Sequence, residues 1–274
     1  MSYQPAAHYD RVTAAWTLLL GEDLHYGVFE SPEEPLPAAT ARLTELMVEA
    51  AQLSGSLEVL DVGCGTGSPA CFLAGSFGVR VTGITTSSTG VAAATARAAA
   101  DGLSSSVSFE QRDGMDNGFP SERFDRVWVL ESSHLMRHRD RVISECARVL
   151  RPGGRVALCD VIRRRPMDLA EVRRLRQPLS VLREAFGDAR MEPLEEYGRL
   201  SREFGLEVDR SVDLTEATRP TFAAWRANAG RHEETVRSLL GDRGWQTFVE
   251  SCSILEGFWD DGTLGYGLFS ARKP

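Results

Sequence analysis

The 274-residue chain carries 39 acidic against 31 basic side chains, a formal net charge of −8, and is 42% hydrophobic and 26% charged. These proportions belong to an ordinary folded protein and exclude a disordered or fibrous chain. The acidic balance also disfavours nucleic acid, whose binding needs a basic face to displace counterions.

No apolar run approaches the roughly 18 residues that a membrane span needs. Met1 to Asp10 lacks the basic and apolar regions of a secretory signal. Five scattered cysteines, Cys64, Cys71, Cys146, Cys159 and Cys252, read as free thiols in a reducing cytoplasm.

In chain order, residues 1–50 have a mostly helical pattern. Residues 51–160 alternate β-rich runs with helical segments, which predicts a parallel sheet with crossover helices. The predicted strands are Leu57 to Val62, Val79 to Ile84, Val107 to Gln111, Arg126 to Leu130 and Arg155 to Asp160, the last following the break Arg151-Pro152-Gly153-Gly154. Val91 to Ala100 and Arg141 to Leu150 are the clearest helices between them. An arginine-rich insertion, 161–205, is expected as a helical cap. Residues 206–274 supply two closing strands, Leu206 to Leu214 and Tyr266 to Arg272, and the helices between them. The expectation is a single domain with a lid at 1–50 and a cap at 161–205.

The most informative segment is Leu57-Glu58-Val59-Leu60-Asp61-Val62-Gly63-Cys64-Gly65-Thr66-Gly67. A buried strand feeds a turn in which alternate residues lack side chains, so ligand atoms can approach the backbone. The spacing is Gly-x-Gly-x-Gly, whereas the dinucleotide fingerprint puts its third glycine one residue later. Thr85-Thr86-Ser87 stands after the second strand, where dinucleotide enzymes carry an acid for the ribose. By itself the turn leaves open a glycine-rich loop with no ligand.

The segment resembles motif I of the class I S-adenosylmethionine-dependent methyltransferases, and further pieces follow in family order: Gln111-Arg112-Asp113-Gly114-Met115-Asp116, Phe124-Asp125-Arg126-Val127-Trp128, Arg148 to Gly154, and the closing Phe269 to Pro274. The resemblance spans essentially the whole chain. It implies an α/β, Rossmann-like methyltransferase fold: a mostly parallel seven-stranded sheet with helices on both faces and a helical cap. It implies S-adenosylmethionine as cofactor and S-adenosylhomocysteine as product. Gly63, Cys64, Gly65 and Gly67 would form the cradle; Thr85, Thr86 and Ser87 would face the ribose; Asp113, Gly114 and Met115 would face the adenine; Glu131, at the fourth strand's end, would also contact the cofactor.

Tyr9-Asp10 and Leu24-His25-Tyr26-Gly27-Val28-Phe29 resemble the lid of the small-molecule, antibiotic-biosynthesis branch, of which the rebeccamycin-type sugar O-methyltransferases are an example. There Tyr9 and Tyr26 would lie over the cofactor; the alternative is that they are core aromatics of a helical cap. That branch has two adjacent histidines after strand four and an aspartate ending strand five. His134 matches the first histidine and Asp160 the aspartate, while Leu135 replaces the second histidine. A histidine of ordinary pKa, about 6.5, can serve as base near neutral pH, with Asp160 orienting it. The bland alternative is a core histidine satisfied by a carbonyl.

No cluster of carboxylates and asparagine of the kind used by metal-dependent relatives stands out. The arginines Arg163, Arg164, Arg165, Arg173, Arg174, Arg176 and Arg183 read first as a solvated face paired with Asp168, Glu171 and Glu184, and second as an anion-attracting cap. The expected reaction is methyl transfer to a hydroxyl of a specialised metabolite. N- or C-methylation stands as an alternative, as does a cyclase that keeps fold and cofactor without methyl transfer. Expected partners are a small-molecule acceptor and, as an option, a second copy in a homodimer, with no nucleic acid and no membrane.

Overall fold

A computed structural model describes residues 14–274. Residues 14–20 are helical (α1). The order that follows is α2 (Leu36–Ala51), β1 (Glu58–Val62), α3 (Ser68–Phe77), β2 (Arg80–Thr85), α4 (Ser88–Ala100), β3 (Val107–Gln111), β4 (Phe124–Leu130), α5 (Arg139–Val149) and β5 (Leu150–Arg163). The rest comprises α6 (Leu169–Arg174), α7 (Arg176–Phe186), α8 (Leu194–Glu203), β6 (Glu207–Asp213), α9 (Thr215–Thr218), α10 (Thr221–Arg231), α11 (Glu233–Asp260, interrupted at Gly241) and β7 (Leu264–Arg272).

Seven strands form one sheet in the order β3-β2-β1-β4-β5-β7-β6. β3, β2, β1, β4 and β5 are mutually parallel. The start of β5 bonds the chain just after β7, Gly153 N–H to Lys273 O at 2.8 Å and Lys273 N–H to Gly154 O at 2.9 Å, so β7 runs antiparallel to it. The expected fold class is the observed one.

Local chemistry explains the junctions. α3 starts at Gly67, left-handed at φ 82, with proline in its first turn, and ends at Gly78, whose N–H bonds Ala74 O. Val149 ends α5, and Leu150 turns to φ −70, ψ 137, so β5 begins before Pro152-Gly153, earlier than the expected Arg155. The winding diverges at β1, flanked by β2 on one side and β4 on the other. Ligands of open α/β sheets bind beyond the carboxyl ends of the strands at such a switch point, which here are Val62-Gly63 and Leu130-Glu131.

The chain divides into two compact units. One holds residues 45–160, 194–212 and 267–274. Its core includes Leu60, Leu73, Phe124, Trp128, Tyr197 and Phe269, all fully buried. Residues 194–205, read from the sequence as the end of the cap, belong to this unit. The other holds residues 14–44, 161–193 and 213–266. It is built around aromatic rings: Tyr26 stacks on Trp259 (centroids 5.6 Å apart, planes 3° apart) and meets Phe222, Trp225 and Tyr266 at 4.8–5.7 Å. Among the described residues no helix is long and apolar enough to cross a membrane.

Candidate active site

The three glycines after β1 are all left-handed, at φ 88 (Gly63), 53 (Gly65) and 82 (Gly67), but they are glycine for different reasons. A β-carbon on Gly63 would collide with the Ser132 side chain, and one on Gly67 would lie 2.7 Å from Phe109 and 2.8 Å from Ala94. Among the described residues, a β-carbon on Gly65 would meet nothing within 4 Å. The open hollow is therefore at Gly65. The loop is pinned by the N–H groups of Gly63 and Cys64, both donating to Ile84 O at 2.9 and 3.0 Å. Cys64 is buried, and burial together with the Asp61 charge pushes its thiol well up, so it contributes backbone and bulk, not a thiolate.

Asp61, in β1, was not among the sequence-derived candidates. It is 2% exposed, and among the described residues its Oδ2 has no hydrogen-bond partner. Burial pushes its carboxyl up to about 7. An uncompensated buried carboxyl favours a cation beside it. S-adenosylmethionine bears two positive groups, a sulfonium and an ammonium. The orphaned carboxyl and the open hollow at Gly65 both fit such a ligand.

The hydroxyls after β2 are differently employed. Ser87 caps α4, its Oγ accepting from Gly90 N–H at 2.8 Å and bonding Thr89 Oγ1 at 2.9 Å. Thr85 Oγ1 accepts from Ser87 N–H at 3.3 Å. Thr86 is exposed, with its carbonyl held by Gln111 Nε2 at 3.0 Å. After β3, Asp113 is exposed and its Oδ1 accepts from Met115 N–H at 2.8 Å, a side-chain turn that shapes this loop. Gly114 is buried against Val62 and Met136, where a β-carbon would lie 2.7–3.1 Å from their atoms.

β4 is followed by Glu131, a non-glycine residue at φ 47 whose N–H donates to Cys159 O at 2.9 Å. This turn leads into a single 3-10 turn, Ser133–Leu135. Here His134 and Asp160 meet: Nδ1 lies 2.5 Å from Oδ1, and the His134 main-chain N–H donates to Oδ2 at 2.9 Å. Asp160 is fully buried and the His134 side chain is 13% exposed. Burial works to lower the His134 pKa, but the charge and hydrogen bond of Asp160, aided by Glu131, outweigh it and raise the value. Burial works to raise that of Asp160, but the His134 charge, the Arg139 charge and the Ser133 hydrogen bond hold it below the ordinary carboxylate range. With Nδ1–H donating to the Asp160 carboxylate, the lone pair of the neutral ring is on Nε2.

Sequence reasoning missed three neighbours of this pair. Ser133 Oγ donates to Asp160 Oδ2 and bonds the Tyr197 hydroxyl at 2.9 Å. Arg139 donates to the Ser133 carbonyl and its guanidinium lies 5.4 Å from the Tyr197 ring centre. Ser133 sits beside His134 and was available as a signal; Tyr197, on α8, was not. His138, just before α5, is exposed.

Tyr9 lies outside the described residues. Tyr26 is 4% exposed inside its aromatic cluster. The insertion's arginines are largely paired, though not all as expected. Glu171 takes Arg165 and Arg174, Asp168 caps α6, and Glu184 pairs with Arg243. Among the described residues no group of three or more His, Cys, Asp or Glu is placed to hold a metal ion.

A family model described as a methyltransferase domain matches residues 59–154. The chain is 36% identical, over 97% of its length and 95% of the relative's, to the 27-O-demethylrifamycin SV methyltransferase of Amycolatopsis mediterranei (strain S699). The crystal structure of the [4+2]-cyclase SpnF superposes with a TM-score of 0.82 at 29% identity, covering 98% of this chain and 95% of that one. The mycolic acid cyclopropane synthase CmaA1, crystallised with S-adenosylhomocysteine and CTAB, shares the fold, with a TM-score of 0.86 at 19% identity over 98% and 97%.

Proposed function

Since the chain belongs to the S-adenosylmethionine-dependent methyltransferases, we propose that it methylates a hydroxyl of a small specialised-metabolite acceptor, with His134 as general base. The observation that carries this is the 2.5 Å contact of His134 Nδ1 with Asp160, which leaves Nε2 to take a proton. When bound, S-adenosylmethionine supplies an electrophilic methyl group on a sulfonium sulfur.

The residues of this chain do the rest. Gly65 leaves room at the mouth of β1 for the cofactor, with Gly63 and Gly67 shaping the turn. Asp61 supplies compensating negative charge, and the exposed Thr86 hydroxyl and Asp113 carboxyl offer polar contacts. Holding the acceptor oxygen in line with the methyl group is an orientation effect. His134 Nε2 accepts the hydroxyl proton as the carbon–oxygen bond forms, and Asp160 stabilises the resulting imidazolium. The relative's name puts its reaction on an oxygen of a demethylated rifamycin, which supports a hydroxylated natural product as acceptor here. The net charge of −8 supports a small molecule over a polyanion.

The test is incubation with methyl-labelled S-adenosylmethionine and a panel of hydroxylated natural products. Label recovered as a methyl ether supports the proposal. The 29% identity to a [4+2]-cyclase favours one second reading, in which the acceptor is cyclised; an unlabelled isomer of the acceptor as product would replace methyl transfer with that reaction.

A further inference from the structure

The hydrogen bonds around Asp160 all run toward its carboxylate. Asp160 receives the His134 main-chain N–H on Oδ2 at 2.9 Å and faces His134 Nδ1 with Oδ1 at 2.5 Å; with donors on both oxygens, and its pKa lowered, it is an ionised carboxylate, which only accepts. The single Ser133 hydroxyl proton is therefore committed to Asp160 Oδ2. In the 2.9 Å contact between Ser133 and Tyr197, the tyrosine must then be the donor. The result is a one-way chain: Tyr197 O–H to Ser133 Oγ, Ser133 O–H to Asp160 Oδ2, and His134 Nδ1–H to Asp160 Oδ1. Tyr197, Ser133 and Asp160 are fully buried, so the chain runs where hydrogen bonds polarise one another strongly.

We propose that Tyr197 and Ser133 are positioning residues that tune the His134 base, drawing charge off Asp160 and fixing its carboxylate so that Oδ1 faces the imidazole. An isolated buried carboxylate would hold the His134 proton too tightly for a base working near neutral pH. Donors on its far oxygen relieve this. The other charged groups acting on the ring divide the same way: Glu131 raises its affinity for the proton, while Arg139, which also holds the Ser133 carbonyl, lowers it. This inference rests on the general-base reading of His134 for its catalytic meaning, but its physical content, the control of one imidazole by a residue 63 positions along the chain, does not.

The test is an NMR titration of the His134 ring in Tyr197→Phe and Ser133→Ala proteins, beside the pH–rate profile and S-adenosylhomocysteine affinity. Tyr197→Phe keeps the ring against Phe269 (centroids 6.1 Å apart) and removes only the hydroxyl. Losing that donor leaves more charge on Asp160, so the His134 pKa should rise, by up to about one unit for one hydrogen bond. Ser133→Ala should move it in the same direction and further. The acid limb of the rate profile should shift with it, and cofactor affinity should not change. An imidazole pKa that is unchanged or lowered in both folded variants overturns the proposal. A raised pKa upholds it even where His134→Ala retains activity, an outcome that would count against the base reading alone.

Discussion

His134 presents two donors to the two oxygens of Asp160: its ring Nδ1, 2.5 Å from Oδ1, and its main-chain N–H, 2.9 Å from Oδ2. The grip locks the ring in the one tautomer that exposes Nε2. His134→Ala should lower turnover by roughly 10²–10⁴-fold with S-adenosylhomocysteine affinity nearly intact. Stopped assays and calorimetry check this; wild-type turnover in the folded variant would remove the base role.

The pH dependence follows from the raised His134 value. The base must be neutral, so kcat should climb as pH rises through a pKa above that of a free imidazole, roughly 6.5. Asp160→Asn removes the charge that raises it, so the limb should move to lower pH while maximal turnover drops. For the fold the signs are opposite. The raised histidine contributes stability that is lost as pH rises through its folded value, and the depressed aspartate contributes stability that is lost as pH falls through its own. A limb that stays in place in Asp160→Asn would contradict the coupling.

Gly63 and Gly65 should separate folding from binding. Gly63→Ala drives a methyl into Ser132 and should lower the melting temperature. Gly65→Val adds a left-handed strain of about 1–2 kcal/mol, but its side chain enters open space that the cofactor would fill. It should abolish S-adenosylhomocysteine binding in a protein that still melts cooperatively. Wild-type protein should gain about 2.7 kcal/mol at a ligand concentration 100 times Kd. Unchanged affinity in Gly65→Val would move the site elsewhere.

Asp61 titrates at about 7 when folded, against roughly 3.9 in a solvated chain. The folded state holds the proton longer, so stability falls as pH rises between these values. Asp61→Asn should escape this loss and be the more stable protein above neutral pH, by an amount on the order of a few kcal/mol. It should also bind the cofactor more weakly. Parallel loss of both stability and affinity would show that the carboxylate is compensated.

Asp113→Ala should weaken S-adenosylhomocysteine binding by about 0.5–3 kcal/mol through one lost hydrogen bond and through loosening of the turn that Oδ1 makes with Met115. Equal affinities by calorimetry would take the adenine contact away from this loop.

The strands, the glycine turn and the break before the fifth strand were legible in the chain because their causes are local: a β-rich run, a φ that only glycine adopts freely, a Pro-Gly-Gly that stops a helix. The same locality placed Gly63, Gly65 and Gly67 together, and the family resemblance brought His134 to Asp160. Only the tertiary structure decided which glycine faces open space, because that depends on Ser132, Phe109 and Ala94 arriving from other elements. It also decided that Ser87 spends its hydroxyl on a helix cap and that Glu184 pairs with Arg243. Tyr197 is the clearest case. A buried tyrosine on an amphipathic helix reads as core, and nothing in its neighbours distinguishes it. Its hydroxyl acquires a role when α8 packs against α5 and sets it 2.9 Å from Ser133, since a hydrogen bond depends on distance in space and not on separation along the chain.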